Sequence, residues 1–230
     1  MQADDLNIPA HGAALFREVL SGRDIADLLN RLGDELQRRP GRRLLLDAPT
    51  AGLLAATGKI GAIASGLLGP GARPVRAVLF DKTQTMNWLV AWHQDRTIAV
   101  RDRRDTTDFG PWSVKDGIVH VAPPISVLDQ MVTLRVHLDI CTDDNAPLIV
   151  ALGSHRLGKV AADEVEAMAK QHPFHACHAD AGDIWAYATP ILHSSAKSVS
   201  DRRRRVLQLD YSPLELPNGL EWLGVSRTET

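Results

Sequence analysis

The chain has few cysteines, few aromatic side chains and little net charge. Its 230 residues include 2 cysteines, 5% aromatic residues and a formal net charge of −2. Two cysteines, Cys141 and Cys177, build no disulfide framework, so a reducing compartment is the simpler expectation. A net charge near zero argues against a dedicated nucleic-acid binder, which normally carries a strong basic excess.

Long apolar runs are missing as well. No uninterrupted apolar stretch reaches the roughly 20 residues that a membrane-spanning helix needs. The first residues, MQADDLNIPAHG, are polar and acidic, whereas a secretory signal would have a positive charge followed by an apolar core. We therefore expect a protein without membrane contact and with a cytoplasmic location.

The overall composition is that of a folded globular domain. Hydrophobic residues make up 44% of the chain and charged residues 23%, a balance typical of folded proteins. A chain of this length can bury a substantial core without disulfides or a structural metal. No repeat, low-complexity tract or linker divides it, so we expect a single domain over residues 1–230. Any bound metal would then serve chemistry rather than folding.

The periodicity of apolar residues separates this domain into two parts. Apolar positions recur at three- and four-residue steps within 12–38, which predicts a helix, and a second helix is expected at 51–68. Further along, short segments rich in β-branched and aromatic residues alternate with turns, which predicts strands, with one short helix near 161–172. We therefore predict a helical part over about 1–70 and a β core over about 75–212.

Two side chains suited to metal binding lie at the end of one predicted strand, NWLVAWHQD. Because side chains alternate across a strand, His93 and Asp95 project from the same face. With a second histidine they would form the two-histidine, one-carboxylate arrangement of non-haem iron(II) oxygenases. Alone the pair is a weak signal, because the chain has 9 histidines and a solvated strand end would have the same spacing.

A candidate for the second histidine lies downstream. His193 follows a predicted turn at 180–183 and a strand, and Arg204 then opens the next strand. A keto acid that chelates iron at one end needs a permanently charged, bidentate partner for its far carboxylate, and an arginine inside the fold would supply it. The alternative is that 202–205 form an exposed turn. Strand alternation also leaves open whether Arg203 or Arg204 faces inward.

Taken together, these motifs resemble the phytanoyl-CoA dioxygenase family of iron(II)- and 2-oxoglutarate-dependent oxygenases. The resemblance covers about residues 80–211. It is carried by WHQD at 92–95, HLDICTDDNAPL at 137–148, GSHRLG at 153–158, AGD at 181–183, and His193, Ser195 and Arg204. The chain departs from the family at Leu152, where the family has proline, and at Ser194, where it has glycine. Neither position is a ligand.

The resemblance implies a fold and a site. The fold would be mainly β with helices: a double-stranded β-helix of the jelly-roll, cupin-like type, with N-terminal α-helices bracing one sheet. His93, Asp95 and His193 would hold Fe(2+), and Arg204 with Ser195 would bind the distal carboxylate of 2-oxoglutarate. Halogenating relatives resemble this pattern but have a small residue in place of the carboxylate, so Asp95 favours oxygenation.

The activity implied by the resemblance is hydroxylation of an unactivated C–H bond in a small-molecule metabolite, with 2-oxoglutarate and O2 as cosubstrates. Two alternatives stay open. One is a cupin-like metalloenzyme that does not use 2-oxoglutarate, and the other is a non-catalytic small-molecule binding protein on the same barrel. The sequence specifies neither the substrate nor the oligomeric state.

A long segment, 101–131, follows the predicted iron-binding strand. It contains glycine, prolines and mixed charges, and it is too long for an ordinary hairpin, so we predict a lid that closes over the substrate. Arg101, Arg103 and Trp112 are its candidate substrate contacts. The alternative is a surface excursion that packs against the barrel wall.

Two tryptophans and one histidine of the β core are expected to serve packing. Trp88 and Trp92 are expected on the outer face, against helices. His137 alternates with apolar residues and is expected to be a hydrogen-bonded core histidine.

Overall fold

The computed structural model describes residues 2–33 and 41–226. These residues form six α-helices and thirteen strands. The helices are α1 Ile8–His11, α2 Gly22–Arg31, α3 Ala48–Leu54, α4 Gly61–Leu68, α5 Ile125–Leu128 and α6 Val165–Ala169. The strands are β1 Ala13–Phe16, β2 Gly41–Arg43, β3 Arg73–Lys82, β4 Val90–His93, β5 Ile98–Val100, β6 Trp112–Lys115, β7 Ile118–Val121, β8 Val132–His137, β9 Leu148–Ala151, β10 Phe174–Cys177, β11 Ile184–Ala188, β12 His193–Ser195 and β13 Arg204–Ser212. None of the described helices is long and apolar enough to cross a membrane.

Two antiparallel sheets build the core. The larger has the strand order β1-β11-β8-β13-β3-β2, and the smaller has the order β10-β9-β12-β4. Apart from the pairs β2–β3 and β9–β10, neighbouring strands are not consecutive along the chain, which is the connectivity of a jelly roll rather than of a meander. The predicted mainly β, jelly-roll class is confirmed.

Helices cover the outer face of the larger sheet. On β13, Leu207, Leu209 and Tyr211 point outward into an apolar cluster that also contains Leu28 of α2 and Leu54 of α3. The Tyr211 hydroxyl donates a hydrogen bond to the Leu54 carbonyl oxygen at 3.1 Å. The predicted bracing of one sheet by N-terminal helices is therefore observed.

Between the two sheets, one half of the interior is apolar. Side chains from both sheets, among them Leu148, Val150, Trp185 and Tyr187, form this second cluster. Both cysteines belong to it as buried, free thiols. The other half of the interior carries polar and charged side chains, and it contains the candidate site.

The helix predicted at 12–38 forms over only part of that range. Its middle is α2, whose first turn is capped by Ser21 and Asp24, each side chain accepting a hydrogen bond from the other's backbone N–H. Residues Ala13–Phe16 are instead a strand, β1, that pairs with β11 at the edge of the larger sheet. Sheet pairing has overridden the local apolar period here. The end of the predicted helix, 34–38, lies outside the described residues.

The helix predicted at 51–68 is two helices, α3 and α4, joined by a tight turn. A Cβ atom at residue 61 would lie 2.0 Å from the Ala55 carbonyl oxygen, so the close approach of the backbone requires Gly61. Gly58 makes a similar close approach, to the Gly52 carbonyl oxygen, so these two glycines mark the turn.

The segment 101–131 is not an irregular loop. β6 and β7 form a hairpin that pairs with β5 in a separate three-stranded sheet. Its turn residues, Asp116 and Gly117, both have positive φ, 54° and 77°, as the tight turns favoured by Asp-Gly require. Side chains of this sheet pack with Val75, Leu128 and Trp222 in a third apolar cluster. The hairpin thus packs against the barrel wall, as the alternative of a surface excursion expects, and closure over a substrate stays a prediction.

Candidate metal and cosubstrate site

Three side chains suited to metal binding converge inside the barrel. His93 at the end of β4 and His193 at the start of β12 are directly paired across the two antiparallel strands. Their ring centroids are 4.1 Å apart. Asp95 follows two residues after His93, and one ligand atom from each of the three side chains lies within 4.8 Å of the others. Two imidazoles and one carboxylate are the donor set that non-haem iron(II) oxygenases use.

Backbone carbonyls fix the tautomer of both histidines. The Nδ1 atom of His93 lies 3.0 Å from the Ala91 carbonyl oxygen, and Nδ1 of His193 lies 2.9 Å from that of Ile191. A carbonyl oxygen only accepts, so Nδ1 carries the proton and Nε2 keeps a lone pair for a metal. Burial, followed by the neighbouring His93, lowers the pKa of His193 to about 4, which keeps it neutral near pH 7.

An arginine holds Asp95 in its charged form. The Nη2 atom of Arg76 lies 3.7 Å from Oδ2 of Asp95, and that oxygen has no hydrogen-bond partner among the described residues. Burial alone would raise the pKa of this carboxyl, but Arg76 and then His193 lower it below its ordinary value. Arg76 is itself held by Asp210, which also accepts a hydrogen bond from Thr133 at 3.1 Å. An anionic oxygen without a hydrogen-bond partner fits a metal ligand.

Gln94, between the two candidate ligands of the His-x-Asp motif, faces the opposite way and fixes the end of β4. Its amide nitrogen donates to the carbonyl oxygens of Gly158 and Pro190, both at 2.8 Å. Its amide oxygen accepts from the backbone N–H of Val160 at 3.2 Å. These bonds tie the segment after His93 to the segment that leads into His193.

Ser154 of the GSHRLG motif positions the other histidine. Its hydroxyl donates to the Ala151 carbonyl oxygen at 2.7 Å and accepts from the Leu192 backbone N–H at 2.9 Å. Leu192 directly precedes His193. The motif therefore supports the metal site through backbone placement and not through a ligand of its own.

A cavity of about 120 Å³ adjoins the three candidate ligands. It is lined by Phe80, Lys82, Trp88, Val90, His93, Asp95, Arg135, Leu148, His193, Ser195, Arg204 and Gln208. The structure thus places five of the predicted site residues around one space: the three candidate metal ligands, Ser195 and Arg204.

Arg204, and not Arg203, faces this cavity. Arg204 is 3% exposed, and its Nε and Nη1 atoms have no hydrogen-bond partner among the described residues. Arg203 points away and forms two hydrogen bonds with Asp81, at 2.8 and 2.6 Å. Arg205 is paired with Asp139. A buried guanidinium with unused donors is the group expected at an anion site.

Lys82 is a site residue that the sequence reasoning missed. It lies directly opposite Arg204 on the neighbouring strand β3, and its Nζ atom is 3.3 Å from the Ser195 hydroxyl. Burial, and then the charge of Arg204, lower the pKa of Lys82 to about 8. Like charges opposite each other destabilise a sheet, so an anion between them would relieve their repulsion. Nothing in the pattern of β3 distinguishes Lys82 from a surface lysine at a strand end.

The two tryptophans next to β4 have different environments. Trp92 contacts Phe174, with ring centroids 4.8 Å apart, and packs near α6, as expected. Trp88 was expected to pack outside but lines the cavity, where its ring lies 5.0 Å from Nζ of Lys82. Attraction between the ammonium group and the ring accounts for the inward position.

His137 is buried on β8 as expected, but it is not hydrogen-bonded. Neither ring nitrogen has a partner among the described residues. Burial, followed by the charges of Arg135 and Arg204, holds the pKa of His137 well below its ordinary value, so the ring is neutral. The predicted hydrogen-bonded core histidine is wrong in this respect, since neither ring nitrogen finds a donor or acceptor among the described residues.

The three predicted substrate contacts do not line the cavity. Arg101 is paired with Glu221 at 3.0 Å on the surface. Arg103 is paired with Asp105 and lies 5.5 Å from the ring of Trp112. Trp112 packs against the third apolar cluster. A substrate role for these residues stays a prediction.

Fold and site together define an oxygenase of the iron(II)- and 2-oxoglutarate-dependent class. The phytanoyl-CoA dioxygenase family model matches residues 9–206, and the chain belongs to this family. No curated protein sequence matches the chain at a significant level.

Several solved structures have the same fold as this chain. EctD from S. alaskensis, in its apoform, is 21% identical with a TM-score of 0.65, over 96% of this chain and 79% of that one. HygX from Streptomyces hygroscopicus, with nickel and 2-oxoglutarate bound, is 17% identical with a TM-score of 0.59, over 90% and 84%. SnoN from nogalamycin biosynthesis, a non-heme alpha-ketoglutarate-dependent epimerase, is 18% identical with a TM-score of 0.62, over 89% and 80%. At these identities the likeness shows the fold.

Proposed function

We propose that the protein is an iron(II)- and 2-oxoglutarate-dependent dioxygenase that hydroxylates a C–H bond of a small-molecule metabolite. The observation that carries the proposal is a single cavity with the two-histidine, one-carboxylate site at one end and unpartnered nitrogens of Arg204 at the other. His93, Asp95 and His193 would hold the iron. Arg204, Lys82 and Ser195 would bind the distal carboxylate of 2-oxoglutarate.

The residues present fit these groups. The histidines offer Nε2 lone pairs, and Asp95 offers an anionic oxygen without a hydrogen-bond partner in the described part of the chain. No carboxylate of the described residues lies between Lys82 and Arg204 around the cavity. When bound, iron(II) and 2-oxoglutarate supply the activation of O2 that C–H hydroxylation requires, with succinate and carbon dioxide as co-products.

The protein's own contribution is to orient these groups and to exclude water. Backbone carbonyls fix both imidazoles, and Arg76 keeps Asp95 anionic. Apolar side chains, Phe80, Trp88, Val90 and Leu148, form much of the cavity wall. In such surroundings the attraction between a guanidinium and a carboxylate is stronger than in water, which favours tight and oriented binding of the dicarboxylate.

A small-molecule substrate is supported by the structural relatives. EctD has been solved with 2-oxoglutarate and 5-hydroxyectoine, and HygX with nickel, 2-oxoglutarate and hygromycin B. The free thiols of Cys141 and Cys177 suit a reducing compartment, so the proposal includes a cytoplasmic location. No nucleic-acid partner is proposed, since the formal net charge is −2.

The proposal is tested by measuring succinate formed from 2-oxoglutarate by purified protein in air, with and without added iron(II), across a panel of candidate metabolites. We expect iron-dependent succinate formation that rises when the correct substrate is present. Conversion of a substrate without succinate would indicate a metalloenzyme that does not use 2-oxoglutarate. If the protein neither binds 2-oxoglutarate nor forms succinate with any compound, the proposal is wrong.

A further inference from the structure

Arg135 is a third cation that lines the cavity, beside Lys82 and Arg204. Arg135 extends from the middle of β8, is 5% exposed and lines the same cavity. Its Nη1 atom donates to the side-chain oxygen of Gln208 at 2.8 Å, and its guanidinium lies 5.3 Å from the ring of Phe80. Its Nε atom is buried and has no partner among the described residues.

The inner face of β13 shows where Arg135 lies along the cavity. Arg204 marks the end proposed for the distal carboxylate, and Asp210 marks the metal end, because it holds Arg76 beside Asp95. Gln208 lies between them, and Arg135 is directly opposite Gln208 on β8. At about 3.4 Å per residue, Arg135 starts about 7 Å from the level of Asp210 and about 14 Å from that of Arg204. Its backbone position is therefore closer to the metal end.

A second set of contacts connects Arg135 to the metal site through two intervening side chains. Gln208, which accepts from Arg135, also accepts from the Tyr187 hydroxyl at 3.3 Å. The Tyr187 ring in turn packs against His193, with centroids 5.5 Å apart. One chain of contacts thus leads from the guanidinium to a candidate metal ligand.

The charge of Arg135 is not neutralised by the protein. Among the described residues it forms no ion pair, since Gln208 is neutral and Asp210 is engaged by Arg76. A buried, unpaired guanidinium is costly, and Arg204 and Lys82 add like charge in the same cavity. The distal carboxylate of 2-oxoglutarate would serve Arg204 and Lys82. The molecule has one further carboxylate, next to its oxo group, at the end that meets the metal.

We propose that Arg135 binds this second carboxylate, so that the cavity recognises both ends of the dicarboxylate with separate cations. The inference rests on the proposed function and adds a cosubstrate-binding residue to it. Arg135 belongs to the larger sheet, whereas Trp88 and Val90 line the cavity from the side of β4 in the smaller sheet. Leu89, between these two residues, is 61% exposed. A substrate that enters beside Leu89 would meet the cosubstrate before it met Arg135. This arrangement favours the cosubstrate over an anionic group of the substrate.

The test compares two ligands and two variants, without turnover. Binding of 2-oxoglutarate and of 2-oxopentanoate, which lacks the distal carboxylate, is measured by calorimetry on protein loaded with iron(II) under anaerobic conditions. Arg135→Met should weaken both ligands by a similar factor, about tenfold or more, since one charge-assisted contact is lost from each. Arg204→Met, the matched control, should weaken 2-oxoglutarate alone. Neither change should alter iron affinity.

A spectroscopic reading separates a direct contact from a structural effect. The visible charge-transfer band of the anaerobic iron(II)–2-oxoglutarate complex should shift in Arg135→Met and keep its position in Arg204→Met at saturating ligand. Arg135→Lys, which keeps the charge, should recover part of the affinity. If Arg135→Met does not fold, Arg135→Gln gives the same comparison with a polar group near Gln208.

Three results would overturn the inference. If Arg135→Met weakens 2-oxoglutarate but not 2-oxopentanoate, Arg135 serves the distal carboxylate instead. If it weakens neither, its anion is not the cosubstrate and an anionic substrate takes its place. If the wild-type protein with iron binds neither ligand, the proposed function itself fails, and that outcome is distinct from the other two.

Discussion

The two faces of β13 differ in polarity: the outer face is apolar, and the inner face carries charged and polar side chains. Outward, Leu207, Leu209 and Tyr211 pack with the N-terminal helices. Inward, Arg204 and Gln208 line the cavity. Since side chains alternate along a strand, one nine-residue segment supplies both the core and the candidate site. Stability and ligand binding can therefore be perturbed separately, by substitutions at adjacent positions of β13.

The largest effect should come from the metal ligands on the inner side of the barrel. His193→Ala, like His93→Ala and Asp95→Ala, should abolish iron binding and iron-dependent turnover while the protein still folds, because the core does not depend on a metal. Metal content and thermal unfolding measure the two properties. His175→Ala, on β10 of the same sheet but outside the cavity, is the control and should keep its iron. Wild-type activity in any ligand variant would refute the assignment.

A change on the outer face of β13 should lower the stability of the protein and leave its ligand affinity unchanged. Leu209 is fully buried under the helices, and Leu209→Ala should lower the free energy of unfolding by about 2–5 kcal/mol, since it leaves a cavity in the core. Urea unfolding measures the loss. Affinity for 2-oxoglutarate should stay at the wild-type value in the folded protein. A large loss of affinity with unchanged stability would show that the two faces are not independent.

Raising the pH should weaken anion binding, and this effect should be smaller. Burial, and then the charge of Arg204, lower the pKa of Lys82 to about 8, so its ammonium form is lost as the pH rises through that value. Affinity for an anion should then fall above about pH 8, by up to about tenfold per pH unit. Calorimetry between pH 7 and pH 9 measures this. Lys82→Arg keeps its charge over this range and should remove the dependence. A pH-independent wild-type affinity would exclude Lys82 from the carboxylate site.

The smallest effect should come from the predicted lid contacts. Arg101 forms an exposed pair with Glu221, so Arg101→Ala should change the free energy of unfolding by less than about 1 kcal/mol. Binding of 2-oxoglutarate should be unaffected, because the side chain lies outside the cavity. The KM for the metabolite substrate decides the lid prediction: a rise in Arg101→Ala would show that the hairpin segment reaches the substrate.

The part of the site that could be predicted from the sequence is the part held in local motifs. His93 and Asp95 share one strand face, and the spacing of His193 and Arg204 resembles that of the family. Lys82 and Arg135 could not be found in this way, because nothing along their strands distinguishes them from the other polar residues there, such as Asp81 on β3 and His137 on β8. Their position depends on the order of strands in the sheet, and periodicity along the chain does not contain that order.

The fold shows the same division between local and tertiary information. The helix α2 and six strands of the β core carry clear periodic patterns and were predicted: β3, β4, β8, β9, β11 and β13. β1 was missed because its four residues, Ala13–Phe16, continue an apolar pattern that also fits a helix, and only its partner β11 makes it a strand. The hairpin of β6 and β7 had a local signal in Asp116-Gly117, but the surrounding charges and prolines made the whole segment resemble a loop.

The alternation of β13 also limits how such a protein can diversify. A slip of β13 by one residue against its neighbours would turn Arg204 toward the helices and bring Leu207 and Leu209 into the cavity, so core and site would be lost together. The strand therefore tolerates exchange of side chains but not a change of register. The connections at 83–89 and 196–203, joined to each other through Asn87 and Ser198, lie outside both sheets and are free of this restriction. New substrate preferences can arise there without rebuilding the barrel.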